Sequence, residues 1–362
     1  MDVSLSETQR LLRESIREYL EREVPFSRIR QVEASSGMDA ALLTALTRLG
    51  WMGLAFAPEY GGQGGELTDV GVLIEELTRR AVLVPIVETL AAGITIQRHG
   101  DADLARAVLP QIIEGKVTVS PAVLEADDRF DRVATEVASD GTLSGQKYFV
   151  DYGQFTSHHL VAARRSGETG LYLVDRDSPQ VTTKPVTNIG KVPQAIVTYD
   201  RAPATRVCGA EGYAFLVALG RTFAGVQCVA CAQQALDMTV EYVSMRVQFG
   251  RPIGTFQAVQ HHCANMATHT LASRFLVYEA LWNVEHGKAT DSQLAVAKTE
   301  ASRAATEVTM MAHQLHGGMG FVTEYDLHFF SLRGKQAALS WGSAEECLTL
   351  VANNIEEPDE WL

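Results

Sequence analysis

Apolar positions in the first hundred residues recur at helical spacing. Leu5, Leu11, Leu12, Ile16, Tyr19 and Leu20 make one stripe with Arg and Glu between them, and Pro25 stops the run. Ser6 ahead of Glu7 and Gln9 supplies a helix start. Leu42, Leu43, Leu46 and Leu49 make a second stripe, ended by Gly50, and a turn-rich block follows over residues 58–65. Residues 69–80 return to a helical pattern, with Glu75 and Glu76 on its polar side. From about residue 116 to 207 the period shortens to two. β-Branched runs at 133–137, 148–150, 160–162, 171–174 and 196–199 are separated by Asp140-Gly141, Ser166-Gly167 and Ser178-Pro179. The last third is Ala-rich and helical again, over 212–248, 256–286, 291–314 and 341–355. Long neighbouring helices with apolar stripes predict a bundle. The order is an α+β chain: an N-terminal α domain (1–115), a middle β domain (116–208) and a C-terminal four-helix bundle (209–362).

Composition narrows the function. At 362 residues and 46% hydrophobic, the chain is long enough for two or three packed modules. The formal net charge of -13, with no long basic run, argues against nucleic acid as a partner, because phosphate binding needs clustered Lys and Arg. Residues 1–22 alternate charged and apolar positions and carry no targeting signal. No stretch reaches the roughly 18 uncharged apolar residues of a membrane span, so a cytoplasmic location is expected. Five cysteines at irregular spacing do not form a disulfide framework. Cys228 and Cys231 make a C-x-x-C, but in an Ala/Val-rich helical stretch they read as buried structural thiols.

Two segments carry candidate chemistry. Arg246-Val-Gln-Phe249-Gly-Arg-Pro-Ile253, with Gln257 behind it, joins two predicted helices. A guanidinium there offers a fork of donors to phosphate oxygens, or is a surface arginine at a turn. In Gln314-Leu-His-Gly317-Gly318-Met-Gly-Phe321, adjacent glycines let backbone N–H groups approach a phosphate, or form a helix C-cap. His313, His316 and His328 lack a convincing further ligand, so no metal site is expected.

These segments, with Gly50-Trp-Met-Gly-Leu54, Pro58-Glu-Tyr-Gly-Gly62, Glu75-Glu-Leu77, Pro85 and Leu143-Ser-Gly-Gln-Lys147, resemble the acyl-CoA dehydrogenase family over essentially the whole chain. The resemblance implies that family's fold, with a β-barrel-like middle domain, and α,β-dehydrogenation of an acyl-CoA thioester with FAD as cofactor. It implies that Arg246 pairs with the FAD pyrophosphate, that Phe249 packs on the adenine end and that Gln257 bonds the ADP portion. By the same resemblance Gln314, Gly317 and Gly318 match the family's second FAD motif. In the family both motifs lend their ADP contacts to a neighbouring subunit's flavin, so the resemblance implies an oligomer, with an electron-transfer flavoprotein as acceptor.

The sequence departs from the family at the reacting end. The family's carboxylate base sits in a turn that here reads Ser340-Trp341-Gly342-Ser343, or on a helix at the position of Gly220; both base positions are empty. Arg221 matches a family arginine near the thioester, and its plain alternative is a buried ion pair. Glu345 or Glu346 would serve as a replacement base in a shifted turn, or simply begin a helix. Glu241 and Asp237 lie too far along their helix to reach substrate. The family's flavin-contacting Trp-Ile-Thr strand reads Phe149-Val150-Asp151, where an ionised Asp151 would repel reduced flavin. The segment from Val119 to Ala126 lacks the family's flavin- and CoA-contacting Thr and Ser. The pattern resembles the base-lacking subunit of heterotetrameric actinobacterial enzymes acting on sterol side chains. The alternatives are a self-sufficient homo-oligomer with a replaced base and a non-catalytic assembly subunit.

Overall fold

A computed structural model describes residues 5–35 and 37–354. Six helices come first: α1 (Glu7–Glu23), α2 (Phe26–Ala34), α3 (Ala40–Arg48), α4 (Leu67–Arg79), α5 (Ile86–His99) and α6 (Ala102–Ile113). Ser6 caps α1 in a reciprocal box with Gln9, as the sequence predicts. Helices α2, α5 and α6 were not legible as periodic stripes. Residues 89–96 of α5 are buried all round, so no polar face alternates with an apolar one.

Eight strands follow: β1 (Val119–Ala122), β2 (Glu136–Val137), β3 (Thr142–Asp151), β4 (His158–Arg165), β5 (Glu168–Asp175), β6 (Val181–Val186), β7 (Gln194–Pro203) and β8 (Thr205–Cys208). They form one mixed sheet ordered β6-β7-β3-β2-β4-β5-β8, with β1 parallel to β4. Ser166 and Gly167 both adopt left-handed backbone, which matches the twist of the β4–β5 hairpin. The inward face of the sheet is Val150, Val161, Tyr172, Val174, Val197 and Tyr199, packed into one core.

The remainder is α7 (Ala210–Met245), a hairpin of β9 (Val247–Gln248) and β10 (Arg251–Pro252), α8 (Gln257–Glu285), α9 (Asp291–His316), α10 (Leu327–Leu339) and α11 (Ala344–Asn353). The sequence pattern missed α10, whose Leu327, Phe329, Phe330, Arg333, Ala337 and Ala338 are buried on several faces. Residue 355, the end of the predicted last helix, lies outside the described residues. By length and composition α7 is apolar enough to cross a membrane; 72% of its most apolar window is buried inside the protein, as for a core helix.

The chain packs as two compact units. Among the described residues, one comprises those up to 26, 71–81 and those from 220 on; the other comprises the described residues of 27–70 and 82–219. Within the first, Glu75 and Glu76 are not on a solvated face: they are 2% and 3% exposed. Arg17 forks onto Glu76 at 2.7 and 3.0 Å, and Glu75 takes Arg274 at 2.8 Å and the Tyr278 hydroxyl at 2.9 Å. Buried carboxylates persist only with such partners, and the partners sit far away in sequence, so spacing alone placed them wrongly.

Candidate functional site

The first candidate segment is built where α7 stops. Phe249 and Gly250 both take left-handed backbone (φ 55 and 79°), which closes the β9–β10 hairpin in two residues. A phenylalanine in that conformation is strained by order 1 kcal/mol, and this one is 91% exposed. Its ring meets Phe256 edge-on at 6.1 Å, while the Arg251 guanidinium covers Phe256 at 4.2 Å. The Ile253 N–H donates to the Arg246 carbonyl at 2.8 Å, which fixes the hairpin's base. Arg246 and Gln257 are both exposed on either side of it.

The second segment ends α9. Gly317 turns the chain with φ 60°, and a Cβ at Gly317 or Gly318 would meet nothing within 4 Å. Gly320, in contrast, is packed on His313 and His316. The two glycines therefore leave an open cradle beside exposed Gln314, and Phe321, 75% exposed, stacks on His313 at 5.0 Å. The tertiary structure brings the ends of the two helices together: the Tyr242 ring stacks on His316 at 4.4 Å. His316 also reaches Tyr325 Oη at 3.0 Å, His313 reaches Ser331 Oγ at 2.9 Å, and His328 reaches the Tyr325 carbonyl at 2.8 Å. The three histidines serve packing, and among the described residues no group of three metal-binding side chains gathers.

The two positions at which the sequence resemblance looks for a base, Gly220 and Trp341, meet each other. A Cβ on Gly220 would lie 2.2 Å from Trp341 Cδ2 and 2.5 Å from Cε2, so the indole lies directly against the glycine. Trp341 itself has left-handed backbone (φ 59°). Its carbonyl accepts from Arg221 Nε at 3.3 Å, so the buried arginine is turned onto this turn. Lys298, 1% exposed, donates to the carbonyls of Ala338 and Gly342 at 2.9 and 3.1 Å and to Ser302 at 3.0 Å. Glu346 is committed to the helix cap: it accepts from Ser343 N at 2.7 Å and its own N–H takes Ser343 Oγ. Glu345 is exposed. Cys228 and Cys231 are buried and reduced, with thiols pushed up by burial.

Models of known families match both ends of the chain: the acyl-CoA dehydrogenase N-terminal domain over residues 6–116 and the C-terminal domain over residues 215–356. The chain belongs to the acyl-CoA dehydrogenase family. Cyclohexane-1-carbonyl-CoA dehydrogenase of Geobacter metallireducens is 30% identical over 97% of this chain and 98% of its own length. Among solved structures, a variant of the Tcur3481-Tcur3483 steroid ACAD superposes with TM-score 0.91, at 31% identity over 97% of this chain and 98% of that one. The ChsE4-ChsE5 complex of Mycobacterium tuberculosis shares the fold, with TM-score 0.92 and 24% identity over 98% of each chain.

Within this family of FAD-dependent oxidoreductases, the strand that departs from the pattern now has a physical description. Two Thr89 Oγ1 contacts to Val119 pin the start of α5 to β1, and Ser120 Oγ donates to the Asp151 carbonyl at 2.5 Å. This sets Glu88 beside Asp151. Burial, then the Asp151 charge, pushes the Glu88 carboxyl up to about 8. Burial pushes Asp151 up to about 6, against a 2.8 Å bond from Gln194. Glu88 Oε2 is buried without a hydrogen-bond partner. Sequence reasoning named Asp151 and missed Glu88, which carries no motif. Glu125, in the segment that lacks the family's Thr and Ser, accepts from Lys147 Nζ at 2.7 Å, from Thr135 Oγ1 and from two backbone N–H groups. That loop is tied inward by its own ion pair, and Lys147 is fully buried in the sheet.

Proposed function

We propose that this chain is the subunit of a heteromeric acyl-CoA dehydrogenase that completes the ADP end of the FAD site for a partner carrying the catalytic base. The observation that carries this is a contrast within one unit of the fold. Arg246, Phe249, Gln257, Gln314 and the Gly317-Gly318 cradle all present exposed groups, while both base positions are spent on a glycine and the indole packed against it.

The cradle fits a phosphate group, because open space lies where side chains at 317 and 318 would stand. In this reading Arg246 pairs with the pyrophosphate, Phe249 covers the adenine, and Gln257 and Gln314 bond the ADP portion. FAD supplies the hydride acceptor when bound. The residues of this chain orient the dinucleotide and shield it from water; none of them takes the α-proton. The base, and the acyl-CoA on which it acts, belong to the partner subunit. The two-named Tcur3481-Tcur3483 and ChsE4-ChsE5 assemblies support a heteromer. An electron-transfer flavoprotein is the expected acceptor and the cytoplasm the expected location.

Flavin content per protomer tests the reading. The chain is purified alone and after co-expression with an acyl-CoA dehydrogenase that carries the catalytic base, and flavin absorbance is recorded with molar mass. Little FAD alone, but about one per heterodimer in the larger complex, is expected. About one FAD per protomer in the chain alone would overturn it.

A further inference from the structure

The contact between Gly220 and Trp341 is more than the loss of two carboxylates. An indole can lie on residue 220 only if that residue has no side chain, since even a methyl group would stand 2.2 to 2.5 Å from three ring carbons. The turn that carries the indole is also held against swinging away. Lys298 Nζ binds the carbonyls on both sides of it, Ala338 and Gly342, and Arg221 Nε binds the Trp341 carbonyl between them. The Ser343–Glu346 capping box fixes where α11 begins. A bulky aromatic residue with left-handed backbone persists only where its surroundings over-determine it. One of these anchors is on Trp341 itself and the others hold the residues on either side of it.

We infer that Trp341 is a plug, seated on Gly220, that closes this chain's own acyl site, with Lys298 as the positioning residue that holds it shut. The inference rests on the subunit reading only in naming the closed space an acyl site. It assigns the exclusion of substrate to a side chain that fills the space, beyond the missing base. A chain that merely lost its base would still bind an acyl thioester and sequester it unproductively; a plugged chain leaves the substrate to its partner.

The test combines a packing cycle with ligand binding. Gly220→Ala is expected to lower the apparent Tm by about 5 °C, as overpacking does. Trp341→Gly suits the left-handed backbone and removes the ring, so in that background Gly220→Ala is expected to cost less than half as much. Octanoyl-CoA is then titrated calorimetrically into the wild type and into Trp341→Gly, with at least about tenfold tighter binding expected in the variant. Trp341→Leu repeats the comparison should the glycine variant fold poorly. Additive Tm losses overturn the plug, as does equal behaviour toward octanoyl-CoA, whether both chains bind or neither does. Neither readout involves flavin, so one FAD per protomer would remove the subunit reading and leave the plug, and an additive cycle would do the reverse.

Discussion

The ring of Tyr242 lies on the imidazole of His316, centroids 4.4 Å apart and planes 26° from parallel. Tyr242 stands one turn before Arg246 and His316 stands next to Gly317, so this one stack sets the two segments proposed to hold ADP against each other. Aromatic pairs contribute about 0.5–1.5 kcal/mol beyond burial. Tyr242→Ala is therefore expected to weaken FAD retention by the assembled complex about five- to tenfold, with little change in the fold. Flavin release during dilution, followed by fluorescence, measures it; unchanged retention would show that each segment binds independently.

The Glu88–Asp151 pair makes stability depend on pH. Both carboxyls are raised in the folded state, so what they contribute is present in acid and is lost as pH rises through about 6 and then about 8. Glu88→Gln removes one ionisation and lets an amide donate toward Asp151. The variant is expected to gain thermal stability over the wild type at pH 8 and to gain less at pH 5. Melting curves at the two pH values decide this, and an equal gain at both would sink it.

His159 works with the opposite sign. It lies buried between the Gly153 carbonyl, at 2.8 Å from Nε2, and the Tyr199 hydroxyl, at 3.0 Å from Nδ1. Burial pushes it down to about 4. The unfolded chain takes up a proton near the ordinary histidine value, so stability falls as pH drops from about 6.5 to 4, by about 3 kcal/mol from this group. His159→Gln is expected to flatten that part of the urea-midpoint profile, while lowering the midpoint at pH 7.

Lys298 holds three acceptors inside the C-terminal helices. Lys298→Met keeps the volume and leaves the Ala338 and Gly342 carbonyls without that donor. A loss of about 2–4 kcal/mol is expected in chemical unfolding, with tryptophan emission shifted as the turn loosens and that shift absent when the same substitution is made in a Trp341→Phe background. A variant as stable as the wild type would show that the carbonyls find other donors.

Features that depend on neighbours in sequence were legible in advance. The capping box at Ser6, the stop at Gly50, the hairpin at Ser166-Gly167 and the long helices on either side of Arg246 follow from local propensity and period. The two segments proposed to contact ADP stand out in the sequence for the same reason, since each is a short run in which glycines or an arginine fall close together. Helix α10 and the burial of Glu75 and Glu76 were not: a helix buried on several faces has no amphipathic signature, and a charged residue is read as exposed until its partner is located. Glu88 and Lys298 escaped notice because an ionisable side chain whose charged end is buried looks like a solvated one in a string of letters.

The sequence by itself determined the order of elements, the family and the absence of a carboxylate at positions 220 and 341. Only the tertiary structure decided that those two positions touch, that Glu88 lies beside Asp151 and that Tyr242 stacks on His316. The reason is that helix and strand follow from each residue's own backbone preferences, whereas a contact between distant segments follows from how whole elements exclude water and fill space together.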